Sequence, residues 1–222
     1  MAVQALAKVE KLVNDTKFHI DSEAVEALPT LETFVRTEVE QGMYLLDANL
    51  LVLKIYKIYP SHHKQDIVRL ILAKAIMQFP SNDFRLCTYL IPKPQVDEGL
   101  ESLYAVGDTL EQGNFVGFWV EAEKNKELLS KIPGFYDSAR VYMISILSRT
   151  FSSVDKEALR VTLNLDVAGL DELVAKHKWA KTVDTVEIAP ELARECEPQQ
   201  EHSEASAFAR MSKWPFTQQY IR

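Results

Sequence analysis

The sequence has 222 residues, of which 47% are hydrophobic and 26% charged, and its formal net charge is −7. This length suits one large domain or two small ones, and the apolar content excludes a chain that is disordered throughout. The negative charge argues against nonspecific binding to nucleic acid or to an anionic membrane. Two cysteines make no disulfide framework, and the N-terminus lacks the continuous apolar segment of a signal peptide. We therefore expect a soluble intracellular protein.

The first third of the chain carries helical patterns. An apolar face over residues 2–13 predicts a first helix, and Ser22 is placed to cap a short segment before Pro29. A proline fits the first turn of a helix better than its interior, so a new helix is predicted to start at Pro29. Its expected inward face consists of Leu31, Phe34, Val35 and Val39.

The segment Gln41–Tyr59 (QGMYLLDANLLVLKIYKIY) is the predicted centre of the fold. Its apolar residues lie at helical spacing and extend to nearly all sides, so other helices must pack around it. It is too short and too interrupted by charge to span a bilayer. Tyr44, Leu51 and Ile55 are its predicted core residues.

Further helical patterns follow as far as Ala122, separated by turns at Pro60–His63, Pro80–Asn82, Pro92–Pro94 and Gly113–Asn114. Helices joined by short turns are typical of an α-solenoid, and the lack of a strict period predicts irregular HEAT/TPR-like repeats. Gly107 is predicted to let a neighbouring helix approach closely. The other predicted core residues of this part are Leu103, Phe115, Phe118 and Trp119.

Shorter elements follow a predicted boundary at Pro133–Gly134. A long helix starts at Phe135, Asp155 is placed to cap a helix ending near Leu163, and Asp166 to cap a helix reaching His177. The alternation of Val186 and Ile188 then predicts an edge strand. This order is that of a winged helix.

The predicted fold is therefore mainly α, with a helical repeat domain (1–132) and a small winged-helix domain (133–190). Residues 191–222 are predicted to be an acidic, partly disordered tail, with a helix around 205–211.

No local motif predicts catalysis, a metal or a cofactor. The five histidines form no HExxH pair and lie near no CxxC; GxSxG, Walker A and GxGxxG sequences are absent. Cys87 lies on the apolar face of its helix, which favours a packed thiol over a nucleophile. We therefore predict a protein that is not an enzyme and uses no cofactor. A deep pocket with convergent His, Asp or Glu would revive the alternative of an unrecognised hydrolase.

A winged helix raises the alternative of a DNA-binding regulator. The recognition helix would be residues 166–177, which carry Asp166, Asp171 and Glu172 against one lysine, Lys176. A helix that reads the major groove needs cationic or amide side chains, and neutralisation of phosphates dominates affinity. The sequence thus favours a wing that contacts protein, and no direct DNA partner is predicted.

Four stretches carry a resemblance: YLLDANLLVLKIYKIYP (44–60), DFRLCTYLI (83–91), LYAVGDTLEQGNFVGFW (103–119) and VDKEAL…NLDVAGLDELVAKHKWA (154–180). In this order they resemble the family of subunit k of eukaryotic translation initiation factor 3, over most of residues 31–189. The family is related to COP9 signalosome subunit 8 and proteasome non-ATPase subunit 8, and equivalent subunits of those complexes are the main alternative. The tail from about residue 190 departs from the family pattern.

The resemblance implies a PCI-type module, roughly 44–190, in a non-catalytic scaffold subunit. It implies a cytoplasmic assembly that binds the small (40S) ribosomal subunit and promotes translation initiation, and allows a nuclear pool. The implied direct partner is subunit l, and no association with a membrane is implied. Because PCI-type subunits assemble side by side through their winged helices, and an unprotected strand edge pairs readily with another chain, we predict a partner interface in residues 179–189. Its candidate residues are Trp179, Lys181, Val183, Asp184, Thr185, Val186, Glu187 and Ile188.

Overall fold

The chain folds mainly as consecutive α-helices that end in a small three-stranded sheet, over residues 9–14 and 22–188, which the computed structural model describes. The helices before the sheet are α1 (residues 9–14), α2 (Ser22–Gln41), α3 (Leu46–Ile58), α4 (Gln65–Ile76), α5 (Asp83–Leu90), α6 (Glu98–Glu111), α7 (Phe115–Lys124), α8 (Lys126–Leu129) and α9 (Phe135–Thr150). Single 3-10 turns cover Pro60–His62 and Lys93–Gln95. The sheet region comprises β1 (Ser153–Asp155), α10 (Lys156–Leu163), α11 (Val167–Lys176), β2 (Ala180–Lys181) and β3 (Thr185–Glu187). The predicted fold class, helical repeats followed by a small winged-helix region, is confirmed.

Helix α2 contains Pro29 in its interior, so the helix start predicted at Pro29 is wrong. A proline inside a helix removes one backbone hydrogen bond and favours a break. Here apolar residues on both sides of the proline, such as Ala24, Leu28 and Leu31, are buried along one continuous face. The burial of that face outweighs the lost hydrogen bond. The predicted inward residues are all buried: Leu31, Phe34, Val35 and Val39.

Helix α3 is the buried centre of the fold, as predicted, but it begins at Leu46 rather than near Gln41. Gly42 adopts φ +69, a left-handed conformation that ends α2 and forces a turn before α3. Helices α2, α4 and α5 pack around α3. Leu51 and Ile55 are accordingly buried, which confirms their prediction as core residues.

Gly107 on α6 lets the ring of Phe84 from α5 lie directly against the α6 backbone. A Cβ atom at position 107 would lie 2.2 Å from Phe84 Cζ, so the predicted close approach is confirmed. Helices α6 and α7 then pack against each other across a turn at Gly113, which has φ +73. The predicted core residues of these two helices that are buried are Leu103, Phe115 and Phe118.

Trp119 and Tyr44, both expected in the core, are half-buried, and Trp119 packs against the core cluster. The Trp119 indole does not lie between α6 and α7 alone. It reaches the end of α10, where its Nε1 donates a hydrogen bond to the Thr162 carbonyl (2.8 Å). Trp119 therefore links the helical repeats to the winged-helix region.

Tyr44 precedes α3, and burial together with the charge of Asp83 raises the pKa of its hydroxyl.

Strand β3 is the central strand of the sheet, so its prediction as an edge strand is wrong. The strand order is β1-β3-β2, and Val186 of β3 lies opposite Val154 of β1 and Lys181 of β2. Val186 and Ile188 are 0% and 3% exposed. The missed element is β1, which has only three residues and no apolar alternation for a sequence pattern to detect.

The boundary at Pro133–Gly134, and the division into residues 1–132, 133–190 and 191–222, stay predictions. Helix α9 also packs back on the repeats, since the Tyr142 and Phe79 ring centroids are 5.3 Å apart. The helix predicted around 205–211 and the start of the first helix lie outside the described residues. Among the helices within 9–14 and 22–188, none is long and apolar enough to cross a bilayer.

Candidate partner interface

The two helices of the winged-helix region each begin at an aspartate cap, as predicted. The Asp155 carboxylate accepts a hydrogen bond from the Ala158 N–H (2.9 Å), and the Asp166 carboxylate accepts one from the Gly169 N–H (2.8 Å). Asn164 forms the turn between α10 and α11 with φ +49, a conformation that asparagine tolerates. These local interactions set where α10 and α11 begin and how the two helices connect.

Three of the eight predicted interface residues belong to the interior of this region. Trp179, Val186 and Ile188 are buried, so they cannot contact a partner, and this part of the prediction is wrong. The His177 ring stacks on Trp179 with centroids 5.2 Å apart, and burial lowers the pKa of His177, with a smaller effect from the Lys176 charge. The small core of the winged-helix region consists of the buried residues Leu159, Leu163, Leu170, Val174, Trp179, Val186 and Ile188.

The other predicted interface residues are accessible. Val183 and Asp184 form the turn between β2 and β3, here called the wing tip, and Val183 is 83% exposed. Lys156 holds the wing tip: its backbone N–H donates to the Asp184 carbonyl (3.0 Å), and its ammonium group donates to the Val183 carbonyl. An exposed apolar side chain on an anchored turn suits contact with another protein. Lys181 and Glu187 are also exposed, and Thr185 is half-buried.

Within residues 9–14 and 22–188, strand β2 pairs only with β3, so the described residues leave its other edge unpaired. The Thr182 N–H donates to the Thr185 carbonyl (2.9 Å), which makes these two residues a hydrogen-bonded pair. Hydrogen-bonded and non-hydrogen-bonded residue pairs alternate along an antiparallel ladder. The neighbouring pair, Lys181 and Val186, is therefore non-hydrogen-bonded, and the backbone N–H and C=O of Lys181 point away from β3. Strand β1 has the second edge that is unpaired in the part of the chain that the structure describes.

The surface next to this edge carries charges of both signs. Asp171 and Glu172 of α11 are exposed, and the Lys181 ammonium group forms an ion pair with the Asp171 carboxylate. Lys181 is therefore already paired, while Lys176 and Lys178 are exposed as well. A phosphate backbone gains little from such a surface.

Elsewhere in the fold, sequence reasoning missed a buried polar group at the start of α3. The Glu38 carboxylate accepts hydrogen bonds from the Leu45 N–H (2.5 Å) and from Asn49 Nδ2 (3.0 Å), and Glu38 is fully buried. Burial raises the pKa of Glu38 to about 7. A signal was available, because Glu38 lies at helical spacing from Leu31 and Val35 on the apolar face of α2. The group joins α2 to α3 and is structural.

The described residues hold no group of three or more His, Cys, Asp or Glu side chains arranged to bind a metal ion. Cys87 is fully buried, and burial followed by the Asp83 charge raises the pKa of its thiol to about 12. A thiol of this kind stays protonated at neutral pH. The interpretation of Cys87 as a packed thiol is confirmed.

The chain is similar to proteins of one family. The family model described as the CSN8/PSMD8/EIF3K family matches residues 62–198. The human protein named eukaryotic translation initiation factor 3 subunit K is 33% identical over 182 residues, which are 81% of this chain and 82% of the human one. Proteins of the same name are 32% identical in Aedes aegypti, over 74% of this chain and 75% of that one, and in Xenopus laevis, over 81% of each.

Proposed function

The chain belongs to the CSN8/PSMD8/EIF3K family, and from this membership we propose that it is a non-catalytic subunit of eukaryotic translation initiation factor 3. The observation that carries the proposal is the similarity to relatives of that name over about four fifths of the chain. The proposed role is that of a scaffold: within the assembly, the subunit supports binding to the small ribosomal subunit and promotes translation initiation in the cytoplasm.

The proposed contact with a sister subunit, of which subunit l is the first candidate, uses the outer edge of β2 and the wing tip. Lys181 directs its backbone N–H and C=O away from β3 there, and Val183 offers an exposed apolar side chain. Strand addition at such an edge gives affinity through main-chain hydrogen bonds. Because the edge is only two residues long and flanked by charges, promiscuous pairing is disfavoured and a matched partner is required.

The test is affinity purification of the tagged full chain from eukaryotic cells, with identification of partners by mass spectrometry. We expect the other subunits of initiation factor 3 in stoichiometric amounts, together with small-subunit ribosomal proteins. Recovery of proteasome-lid or COP9 signalosome subunits in their place would contradict the proposal and assign the chain to another complex of the family.

A DNA-binding regulator is the alternative from another class. The exposed acidic residues of α11 and the ion pair of Lys181 with Asp171 disfavour it. Electrophoretic mobility shifts with duplex DNA test it directly, and we expect only weak, salt-sensitive binding. Sequence-selective, submicromolar binding by the purified chain would favour the regulator.

A further inference from the structure

A second accessible surface lies where α7, α9 and the turn between α10 and α11 meet. Two adjoining cavities of about 230 and 590 Å³ open there, and both are lined by Trp119, Glu123 and Asn164. Tyr136 and Arg140 of α9 also line the smaller cavity. Because the two cavities share three lining residues, they form one open cleft, here called the Trp119 cleft.

Arg140 is held in the Trp119 cleft by contacts on three sides. Its guanidinium lies over the Trp119 ring, 5.1 Å from the ring centroid. Its Nε donates a hydrogen bond to the Leu163 carbonyl (3.2 Å), and its Nη1 donates one to the Asp137 carboxylate (3.2 Å). Within the described part of the chain, no acceptor forms a hydrogen bond with Nη2. Arg140 therefore keeps one donor group for a ligand, and its orientation is set before the ligand binds.

Cations outnumber carboxylates among the residues that line the cleft, with Lys124, Lys126 and Arg140 against Glu123. Like Arg140, both lysines form an ion pair with a carboxylate three residues earlier, that of Glu121 or Glu123. Exposed ion pairs of this kind are worth only about 0.2–1 kcal/mol, so a second carboxylate can share these cations. The cleft therefore favours an anionic group over a cationic one.

The rest of the cleft is aromatic and apolar. The hydrogen bond from Trp119 Nε1 to the Thr162 carbonyl (2.8 Å) fixes the indole, and the Tyr136 ring stacks on it with centroids 6.1 Å apart. Val116 and Val120 lie one turn apart on the same face of α7 as Trp119, and they are 52% and 57% exposed. Aromatic rings of fixed orientation and exposed valines together suit apolar side chains of a ligand.

An acidic protein segment fits these features better than single-stranded nucleic acid does. A base binds by stacking on an aromatic face, and the Trp119 ring is already in contact with the Tyr136 ring and the Arg140 guanidinium. A series of phosphates would also meet the carboxylates of Glu121, Glu123 and Asp137 beside the cations. A single carboxylate needs only the Nη2 group of Arg140.

We propose that the Trp119 cleft binds a segment of a partner protein in which an acidic side chain lies next to apolar or aromatic ones. The carboxylate accepts a hydrogen bond from Arg140 Nη2, and the apolar side chains pack on Trp119 and Val120. This surface belongs to α7 and α9 rather than to the sheet. The proposal therefore does not rest on the contact with a sister subunit at β2.

Nuclear magnetic resonance titration of the isotope-labelled full chain tests the proposal. The probe is the capped peptide SGLFEDLFGS, at about 150 mM salt, where long-range repulsion by the net negative charge is screened. We expect amide shifts confined to residues 116–126, 136–140 and Asn164. The isosteric amide peptide SGLFQNLFGS should bind about tenfold more weakly, because it loses a charge-assisted hydrogen bond. The basic peptide SGLFKRLFGS should bind more weakly still.

Variants of Arg140 and its carboxylate partner give effects of opposite sign. Arg140→Gln should weaken binding of the acidic peptide by about tenfold. Asp137→Asn removes a carboxylate that competes for Arg140, so it should tighten binding by about twofold to fivefold. Asp137 is 83% exposed at its side chain, so this variant does not threaten the fold. Glu40→Gln on α2 makes the same change in net charge and should leave the affinity unchanged.

A second pair of variants tests the apolar part of the cleft. Val120→Thr keeps the shape of an exposed cleft residue and should weaken binding, whereas Val141→Thr changes an exposed valine that lines neither cavity and should not.

Equal binding of the acidic and amide peptides would overturn the proposal. Shifts centred on another surface, no shifts at millimolar peptide, or weaker binding by Asp137→Asn would do the same. Tighter binding of an oligouridylate at the same amides would assign the cleft to nucleic acid instead. The experiment uses the purified chain alone, so its outcome is independent of the assembly proposed above.

Discussion

At the scale of single residues, Glu38 couples folding to pH. Burial raises the pKa of its carboxyl group from 4.5 to about 7, while the hydrogen bonds from Asn49 and Leu45 and the charge of Lys74 oppose the rise. The folded state therefore binds this proton more tightly than the unfolded chain does. As pH rises from 4.5 to about 7, the contribution of Glu38 to the free energy of unfolding falls by about 3 kcal/mol in all. Above that pH the contribution levels off.

Glu38→Gln removes this titration and keeps a side-chain carbonyl that can accept from the Leu45 N–H. We expect the variant to gain stability relative to the parent as pH rises from about 5 to about 8. The measurement is urea unfolding of both proteins across that range, with the difference plotted against pH. Other carboxylates titrate in both proteins and cancel in the difference. A flat difference curve would show that Glu38 does not titrate in this window.

The contact between Gly107 and Phe84 makes a second prediction at this scale. Gly107→Ala places a methyl group against a fully buried ring, and we expect the overpacking to lower the free energy of unfolding by about 1–3 kcal/mol. Gly99→Ala on the same helix is the control, since its Cβ meets only the flexible end of Arg69 at 2.8 Å. Urea denaturation should show a loss for Gly107→Ala and little change for Gly99→Ala. Equal effects of the two substitutions would argue against close packing of α5 on α6.

At the scale of elements, Trp119 joins α7 to α10. Trp119→Phe keeps most of the ring but loses the hydrogen bond to the Thr162 carbonyl, and should cost about 1 kcal/mol. Trp119→Ala also removes the contacts with Tyr136 and Arg140. Because the side chain is half-buried, we expect about 2–3 kcal/mol, below the usual cost for a fully buried tryptophan.

Trp179→Phe is the matched control for Trp119→Phe. The Trp179 indole N–H is buried and finds no acceptor among the described residues, so Trp179→Phe loses core packing but no hydrogen bond. The free energies come from chemical denaturation, and hydrogen exchange should show that α10 loosens in Trp119→Phe. If Trp119→Phe is neutral and leaves the exchange of α10 unchanged, the bond to Thr162 does not hold these elements together.

The elements also show how far sequence reasoning reaches. Helical spacing and caps located α3, α10 and α11, because the buried face and the aspartate caps are local signals. The helix start predicted at Pro29 was wrong, because burial of the apolar face of α2 outweighed the preference of proline for the first turn of a helix. The role of β3 could not be read from its own residues. A strand becomes central only through its neighbours, and β1 lies 30 residues earlier with too short a pattern to detect.

At the scale of the whole molecule, the central strand of the sheet is buried, and the described residues leave both edges of the sheet unpaired. Substituting Val186 or Ile188 would disrupt the core of the winged-helix region rather than test an interface. The informative position is Lys181, whose backbone N–H points away from β3. Both Lys181→Pro and Lys181→Ala lose the ion pair with Asp171, but only the proline removes the outward N–H. The two variants therefore differ in a single group that strand addition needs.

We expect Lys181→Pro to weaken binding of the sister subunit by about tenfold relative to Lys181→Ala, the equivalent of one main-chain hydrogen bond. Neither variant should change the free energy of unfolding much, because the proline leaves the ladder between β2 and β3 intact. Titration calorimetry with the purified partner gives the affinities, and hydrogen exchange on the complex should show new protection at amide 181. Equal affinities without that protection would exclude the β2 edge. The outer edge of β1, where Ser153 and Asp155 are exposed, would then be the other strand surface that the described residues offer for assembly.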